Sequence, residues 1–386
     1  MCINQGENGV SAVAGRTAVT GRILVAWLLL ALGIAGWLSA VACTANPSSS
    51  SAQIPVWERD NPIKPLPTPP LGIDTAYADL PDPPKPARVR LGRWLFFDAR
   101  LSSDGNVSCA TCHRPDHAFS EPLPVSTGVH GLKGTRKAQT FINQAWTIYP
   151  RFFWDGRAAS LEAQALLPIS TPNEMGMPHA QLLARLRTIR GYEPYFREAF
   201  GAAAGSDAVT IERIAKALAD YERTRLSGNS AWDRWRQRRD ESAVSAQVKA
   251  GHALFFGKAA CNQCHLGQNF TDSQFHNVGI GWQAGTKTFA DRGRFDVTKK
   301  PADLGAFKTP TLRDLRRRGP YMHDGSVATL REVMDLYTRG GTANPHLSPK
   351  VKALRLSPAD VDALIAFMDA LNSDDPPEVA PRSFPQ

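Results

Sequence analysis

The apolar positions of this chain follow a pattern that occurs twice. Val89, Gly92, Leu95, Phe96 and Phe97 recur as Val248, Gly251, Leu254, Phe255 and Phe256, with Val, Gly and Leu three apart and Phe next in each copy. This spacing lays an apolar stripe along one side of a helix. A second echo closes each copy. Thr210 is placed to cap a helix through Ile211, Ile214, Ala215, Leu218 and Tyr221 that ends near Ser227. Ser357, followed by Pro358 and Asp360, starts another through Val361, Leu364, Ile365, Met368 and Leu371. The connecting segments are rich in Gly and Pro, and no alternating strand pattern is sustained. The expectation is a mostly α fold of two similar halves, each a helix, long irregular loops and a closing helix.

The longest apolar run lies outside this repeat. Residues 23–42 are uncharged and follow Arg16 and Arg22, and the run ends in small residues and Cys43. That is the layout of an export signal. Ala40-Val41-Ala42-Cys43 resembles a bacterial lipobox, so a membrane tether through Cys43 is one reading. The run is also long enough to remain as an N-terminal anchor, and plain secretion is the third reading. All three place the folded part outside the cytoplasm, and the expected location is the periplasm, with a membrane anchor. The expected divisions are a leader over 1–43, a Pro/Ser-rich linker over 44–86, an N-terminal domain over 87–240, a C-terminal domain over 241–374 and a tail over 375–386. The boundary between the domains is expected in the charged stretch from Asp233 to Ser245.

Composition changes this picture little. A chain of 386 residues with 42% hydrophobic and 21% charged content has enough apolar material for two domains. Its net charge of +9 includes two arginine clusters, Arg234 to Arg239 and Arg316 to Arg318. No nucleic-acid motif surrounds them, so they read as a solvated face or as a docking surface for an acidic redox protein.

The cysteines carry the chemistry. Of six, Cys2 lies in the leader and Cys43 at its end; the other four all fall in Cys109-Ala110-Thr111-Cys112-His113 and Cys261-Asn262-Gln263-Cys264-His265. In Cys-x-x-Cys-His the two thiols add to the vinyl groups of a haem, and the adjacent His is presented to the iron. Zinc is the rival for a Cys-x-x-Cys pair. It is disfavoured by the exported setting, by the duplication and by the absence of spare cysteines. Two covalently bound haems c are therefore expected, each beside its repeated helix. What occupies the other face of each iron decides between a carrier and an enzyme.

Further motifs are specific enough to indicate a family. They are Leu95-Phe96-Phe97-Asp98-Ala99-Arg100-Leu101-Ser102, Phe153-Trp154-Asp155-Gly156-Arg157-Ala158, Leu161-Glu162-Ala163-Gln164-Ala165 and Asn173-Glu174-Met175-Gly176. Lys308-Thr309-Pro310-Thr311-Leu312-Arg313 and Gly319-Pro320-Tyr321-Met322-His323-Asp324-Gly325 complete the set. Over nearly all of residues 88–372 the chain resembles the bacterial di-haem cytochrome c peroxidase and MauG family.

The resemblance implies that His113 holds the peroxide-reacting iron, that Glu174 is the distal acid moving a proton during O–O cleavage and that Gln164 is its neighbour. A positioned carboxyl group suits that transfer. The resemblance also implies that Trp154 lies between the haems, and that His130 matches a displaceable distal histidine. If His130 does not ligate, that haem is open at rest, as in MauG-type members. The sixth ligand of the second haem falls at Tyr337, with Met334 one helical turn away as competitor; spacing alone would suggest Met322. Methionine would favour electron uptake from a cytochrome, whereas tyrosinate would stabilise oxidised iron. A family calcium is doubtful, because Lys137, after Arg136, stands where an Asn ligand is expected and Arg316 to Arg318 is placed opposite. The Lys137 ammonium is expected to replace that ion.

The leading reading is reduction of hydrogen peroxide with electrons from a small cytochrome c or cupredoxin. The alternative is MauG-like, peroxide-dependent oxidation of a partner protein's side chains. A reading of another class is a non-catalytic di-haem electron carrier. No nucleic-acid partner is expected.

Overall fold

The repeated stripe forms helix α2 (Pro86–Phe97) in the first copy and α9 (Ala246–Phe256) in the second. Each crosses its closing helix, α7 (Ile211–Arg223) and α12 (Pro358–Asp369) respectively. The glycine in each stripe is the crossing point. A β-carbon on Gly92 would stand 1.9 Å from the Ala217 carbonyl oxygen, and one on Gly251 would stand 1.9 Å from that of Ala363. Glycine inside a helix costs about 1 kcal/mol relative to alanine; here it lets two backbones touch. The stripe therefore divides its work. Its glycine faces the closing helix, while Phe96 and Phe255 reach the walls of two cavities.

The structure is a computed structural model describing residues 54–386 apart from Ile148. The leader, Cys43 and the 23–42 run lie outside the described residues. Among the described residues no helix is long and apolar enough to cross a membrane. Besides the four helices above there are α1 (Val56–Asp60), α3 (Cys109–Cys112), α4 (Leu161–Ser170), α5 (His179–Thr188) and α6 (Glu193–Phe200). The remaining helices are α8 (Ala231–Arg238), α10 (Phe295–Thr298) and α11 (Leu330–Thr338). Among the described residues strands are confined to two pairs, each strand two residues long: β1 (Phe275–His276) with β4 (Phe307–Lys308) and β2 (Trp282–Gln283) with β3 (Thr288–Phe289). The fold is mostly helical, with long irregular connections.

Two large apolar clusters and a small one, Phe152, Ala158, Leu161 and Ala219, form the interior of the described residues. Leu91, Trp94, Leu95, Phe96, Ile214, Leu218 and Tyr221 belong to one large cluster; Phe255, Phe270, Leu364, Phe367 and Leu371 belong to the other. The closing helices start as their caps require: Thr210 Oγ1 accepts from the Arg213 N–H at 3.3 Å, and Ser357 and Asp360 form a reciprocal capping box. Helix α7 stops at Arg223 rather than near Ser227. Asn143 takes over the Ser227 backbone, accepting its N–H and donating to its carbonyl oxygen, both at 2.9 Å.

Over the described residues, the segments expected as linker, boundary and tail are docked, and the first two contain short helices, α1 and α8. Asn61 is buried and donates to the Arg90 carbonyl oxygen at 3.0 Å, and the Trp57 indole donates to the Tyr195 hydroxyl at 2.9 Å. Glu378, beyond the last helix, accepts from the Tyr221 hydroxyl at 2.9 Å and from Arg93 at 2.6 Å, and also pairs with Arg225. The charged stretch near residue 240 contains α8, whose Asp233 is fully buried. It accepts two hydrogen bonds from the equally buried Arg313, at 2.8 and 2.9 Å. Residues 54–386 form one unit, with no break at that stretch. Polar, proline-rich composition predicts the absence of regular structure, but it says nothing about long-range ion pairs.

Candidate active site

The two Cys-x-x-Cys-His motifs fold alike. In α3 the His113 N–H donates to the Cys109 carbonyl oxygen at 2.9 Å, and the His265 N–H donates to that of Cys261 at the same distance. Both imidazoles are then aimed by their own loops. His113 Nδ1 lies 3.0 Å from the Phe119 carbonyl oxygen, and His265 Nδ1 lies 3.0 Å from that of Phe270. Phe119 and Phe270 both have positive φ, 57° and 50°, which turns each loop back on its motif. A proton on Nδ1 leaves Nε2 as the free electron pair, the arrangement that suits a metal ligand. Burial pushes the pKa of both histidines down, favouring the neutral ligating form. It pushes the Cys112 thiol up to about 11 and those of Cys109 and Cys261 up to about 12.

Each motif opens into a cavity. The first encloses about 1350 Å³ of empty space, part of it open to solvent, and the second about 1630 Å³. Both figures include volume open to solvent, and each space is lined by more than two dozen residues, which makes it a cofactor-sized space rather than a packing defect. The donor set fits a haem c in each: two free thiols, one His with Nε2 free, and apolar walls. Zinc fits less well. Among the described residues only Cys264 gathers further donors, Asp272 and His276, and those two already pair with each other at 2.8 Å.

The first cavity is lined by Cys109, Cys112, His113, Gln164, Glu174, Trp154 and Arg157. Gln164 comes from α4, and the turn after that helix supplies Glu174. The Glu174 N–H donates to the Thr171 carbonyl oxygen at 3.0 Å. Burial raises the Glu174 pKa above the ordinary carboxylate value, with the Arg157 guanidinium pulling the other way. The result is a carboxyl group suited to exchange protons rather than one locked as an ion.

His130 stands apart. It occupies a tight turn with φ 56°, its side chain is 66% exposed, and it is not in the first cavity's wall. Its N–H donates to Asp104 at 3.1 Å, which holds the turn outward.

The second cavity is lined by Cys261, Cys264, His265, Tyr321, Met322, Met334 and Tyr337. Met334 and Tyr337 both come from α11. Met334 also packs into the second apolar cluster, whereas Tyr337 does not. Burial drives the Tyr337 phenol pKa well above its ordinary value. Met322 has a positive φ of 74°.

One wall is common to both cavities, made of Lys137, Ala138, Gln139, Thr140, Trp154, Lys308, Thr309 and Pro310. Trp154 is fixed at both ends: its indole N–H donates to the Lys137 carbonyl oxygen at 2.9 Å, and its own carbonyl oxygen accepts from the Lys308 N–H at 2.7 Å. The Lys137 ammonium donates to two backbone carbonyl oxygens, those of Glu121 and, at 3.0 Å, Leu123. Several residues of these walls had no sequence signal of their own. Glu222 is buried in the first cavity, and its Oε2 has no hydrogen-bond partner among the described residues. Arg318, read from sequence as part of a solvated run, is buried in the second cavity. Its guanidinium turns inward onto the Thr311 and Asp314 carbonyl oxygens, at 2.6 and 3.3 Å.

Comparison with known proteins agrees with this geometry. The family model for di-haem cytochrome c peroxidase matches residues 86–241. The chain is 43% identical to the methylamine utilization protein MauG of Methylorubrum extorquens, over 76% of this chain and 80% of that one. It is 34% identical to the cytochrome-c peroxidase IdrP1 of Denitromonas iodatirespirans, over 90% and 93%. The crystal structure of a MauG-like protein associated with microbial copper homeostasis superposes with a TM-score of 0.71 at 30% identity, covering 81% of this chain and 95% of that one. With relatives this similar over most of their length, and both cavities built to accept a haem c, the chain belongs to the di-haem cytochrome c peroxidase and MauG family of peroxide-utilising oxidoreductases.

Proposed function

We propose that this protein is a MauG-like enzyme of two tandem cytochrome c-like haem domains, which uses hydrogen peroxide to oxidise side chains of a partner protein. The observation that carries the choice is Tyr337 in the wall of the second cavity, beside the His265 motif. The outward His130 supports it, since nothing from that turn fills the first cavity. The sequence alone favours reduction of peroxide at the expense of a small cytochrome. Tyr337 and the 43% identity to a MauG protein weigh towards the other member of the pair.

One haem would be held by Cys109, Cys112 and His113, and the other by Cys261, Cys264, His265 and Tyr337. Bound there, haem iron supplies the redox chemistry that peroxide initiates. The protein's own part is proton handling and positioning. Glu174 takes a proton from the near oxygen of peroxide and delivers it to the far one, while Gln164 holds a hydrogen-bonding amide beside it. Trp154 offers an oxidisable ring in the shared wall. We place the enzyme in the periplasm, tethered through Cys43 or the 23–42 segment.

The deciding experiment compares two donors after peroxide is added to the ferric protein. The expected result is slow turnover of reduced cytochrome c and a long-lived oxidised spectrum that a protein substrate discharges. Rapid steady-state oxidation of cytochrome c would assign the peroxidase reaction instead.

We also propose that Lys137 fills the family's calcium position. The support is its ammonium among the carbonyl oxygens of Glu121 and Leu123, the kind of donor a calcium ion would use. EGTA is expected to leave activity unchanged; loss of activity that added calcium restores would overturn this.

A further inference from the structure

Among the described residues six lysine and arginine side chains are buried: Arg88, Arg90, Lys137, Lys308, Arg313 and Arg318. Three of them meet carboxylates in the way buried cations require. Arg88 pairs with Asp220, Arg90 with Glu58 and Glu198, and Arg313 with Asp233. The other three have no carboxylate among the described residues within salt-bridge distance. Their partners are backbone carbonyl oxygens only. Lys137 reaches those of Glu121 and Leu123, Lys308 that of Arg151 at 2.7 Å, and Arg318 those of Thr311 at 2.6 Å and Asp314 at 3.3 Å.

The unmatched three are not scattered. Lys137 and Lys308 line both cavities, and Arg318 lines the second. Burial draws the lysines down to about 8 and Arg318 to about 10, so each is a cation held against a desolvation penalty. Carbonyl dipoles ease that penalty, and so do the Glu121 carboxylate for Lys137 and the Asp314 carboxylate for Arg318, though neither makes a contact ion pair; Lys308 has no such help. Anions in direct contact are left to something that enters these cavities. A haem c is such a molecule, since it carries two propionate carboxylates.

Resting on the reading that each cavity holds a haem c, we propose that Lys137 and Lys308 form one clamp shared by the propionates of both haems, with Arg318 as an additional partner for the second. The wall that holds Trp154 would then also be the charge junction between the two sites. A cation shared in this way favours the reduced state of both irons, so both reduction equilibria depend on the same two side chains.

The test is a redox titration of the holoprotein, followed at the Soret band, for wild type, Lys137→Met, Lys308→Met and Lys308→Arg, each first assayed for haem c content. Each methionine variant is expected to lower the reduction equilibrium constant of both haems by about tenfold, about 59 mV for one electron. Lys308→Arg, which keeps the charge, is expected to stay near wild type. Unchanged midpoints in both methionine variants, with two haems present, would overturn the clamp; a shift confined to one haem would overturn its sharing. Should the methionine variants fail to mature, resonance Raman on the wild type still decides. Propionate bending bands of carboxylates hydrogen-bonded to cations are expected, and bands of free propionates would overturn the proposal. Fewer than two haems c in the wild type would instead overturn the di-haem reading itself.

Discussion

The Trp154 indole N–H donates to the carbonyl oxygen of Lys137 at 2.9 Å, and this one bond orients the ring in the wall that both cavities share. The bond from the Lys308 N–H to the Trp154 carbonyl oxygen, at 2.7 Å, fixes the backbone at the same residue. Trp154 is thus held by the backbones of two residues that line the same wall. Its neighbour Phe153 has a positive φ of 67° and is covered by the Arg157 guanidinium at 3.7 Å, which stiffens the turn.

Replacing Trp154 with Phe keeps an aromatic of similar shape but removes the donor and the easily oxidised indole. Haem content and fold are expected to survive, while oxidising equivalents introduced at the first site reach the second more slowly. Stopped-flow spectra after peroxide addition would show this as a delayed second phase. An unaltered second phase would remove Trp154 from the pathway.

Glu174→Gln is expected to slow the reaction with peroxide by about 10²- to 10⁴-fold, the usual worth of a general acid–base group. The pH dependence has a definite sign. Burial raises the Glu174 pKa, and the carboxylate is the form that accepts the proton. The wild-type rate should therefore rise with pH through a pKa above that of an ordinary glutamate and then level off. The glutamine variant should lack this acid limb while retaining both haems.

Tyr337 and Met334 lie on the same face of α11, and ferric spectra separate them. The wild type is expected to show no methionine-to-iron charge-transfer band in the far red, and Met334→Ala to leave the ferric spectrum unaltered. Tyr337→Phe should change the ligation spectrum of one haem only. Such a band in the wild type, lost in Met334→Ala, would assign the ligand to methionine.

The Asp233–Arg313 pair is a stability test outside the chemistry. Both side chains are fully buried and bidentate, so Asp233→Asn leaves the guanidinium without its charge partner. A loss of about 3–5 kcal/mol in unfolding free energy is expected. Denaturant titration of the holoprotein would measure it. Because the guanidinium also donates to the Gly72 and Gln268 carbonyl oxygens, the loosened segment should include residues near Gly72.

Much of this molecule is legible in one dimension because its signals are local. The helix stripes, the caps at Thr210 and Ser357 and the two Cys-x-x-Cys-His motifs each depend on residues within a turn or two of one another, where spacing alone determines geometry. Gln164, Glu174, Trp154 and Tyr337 could be picked out through motif resemblance, and each lines a cavity. The outward turn of His130 was not legible, since it rests on a positive φ and on Asp104, 26 residues away. Nor was the closure of the tail through Glu378, or the partnership of Asp233 with Arg313 across 80 residues. The same holds for the three unmatched buried cations. A charged residue reads as solvated from its neighbours in sequence; whether it is buried, and against what, depends on chain that returns from far away. The sequence by itself determined the two haem-binding motifs, the helical repeat and the membership of a family. Only the tertiary structure decided which charges were removed from water and made to face one another or a cavity, because desolvation and ion pairing act through space and carry no periodicity along the chain.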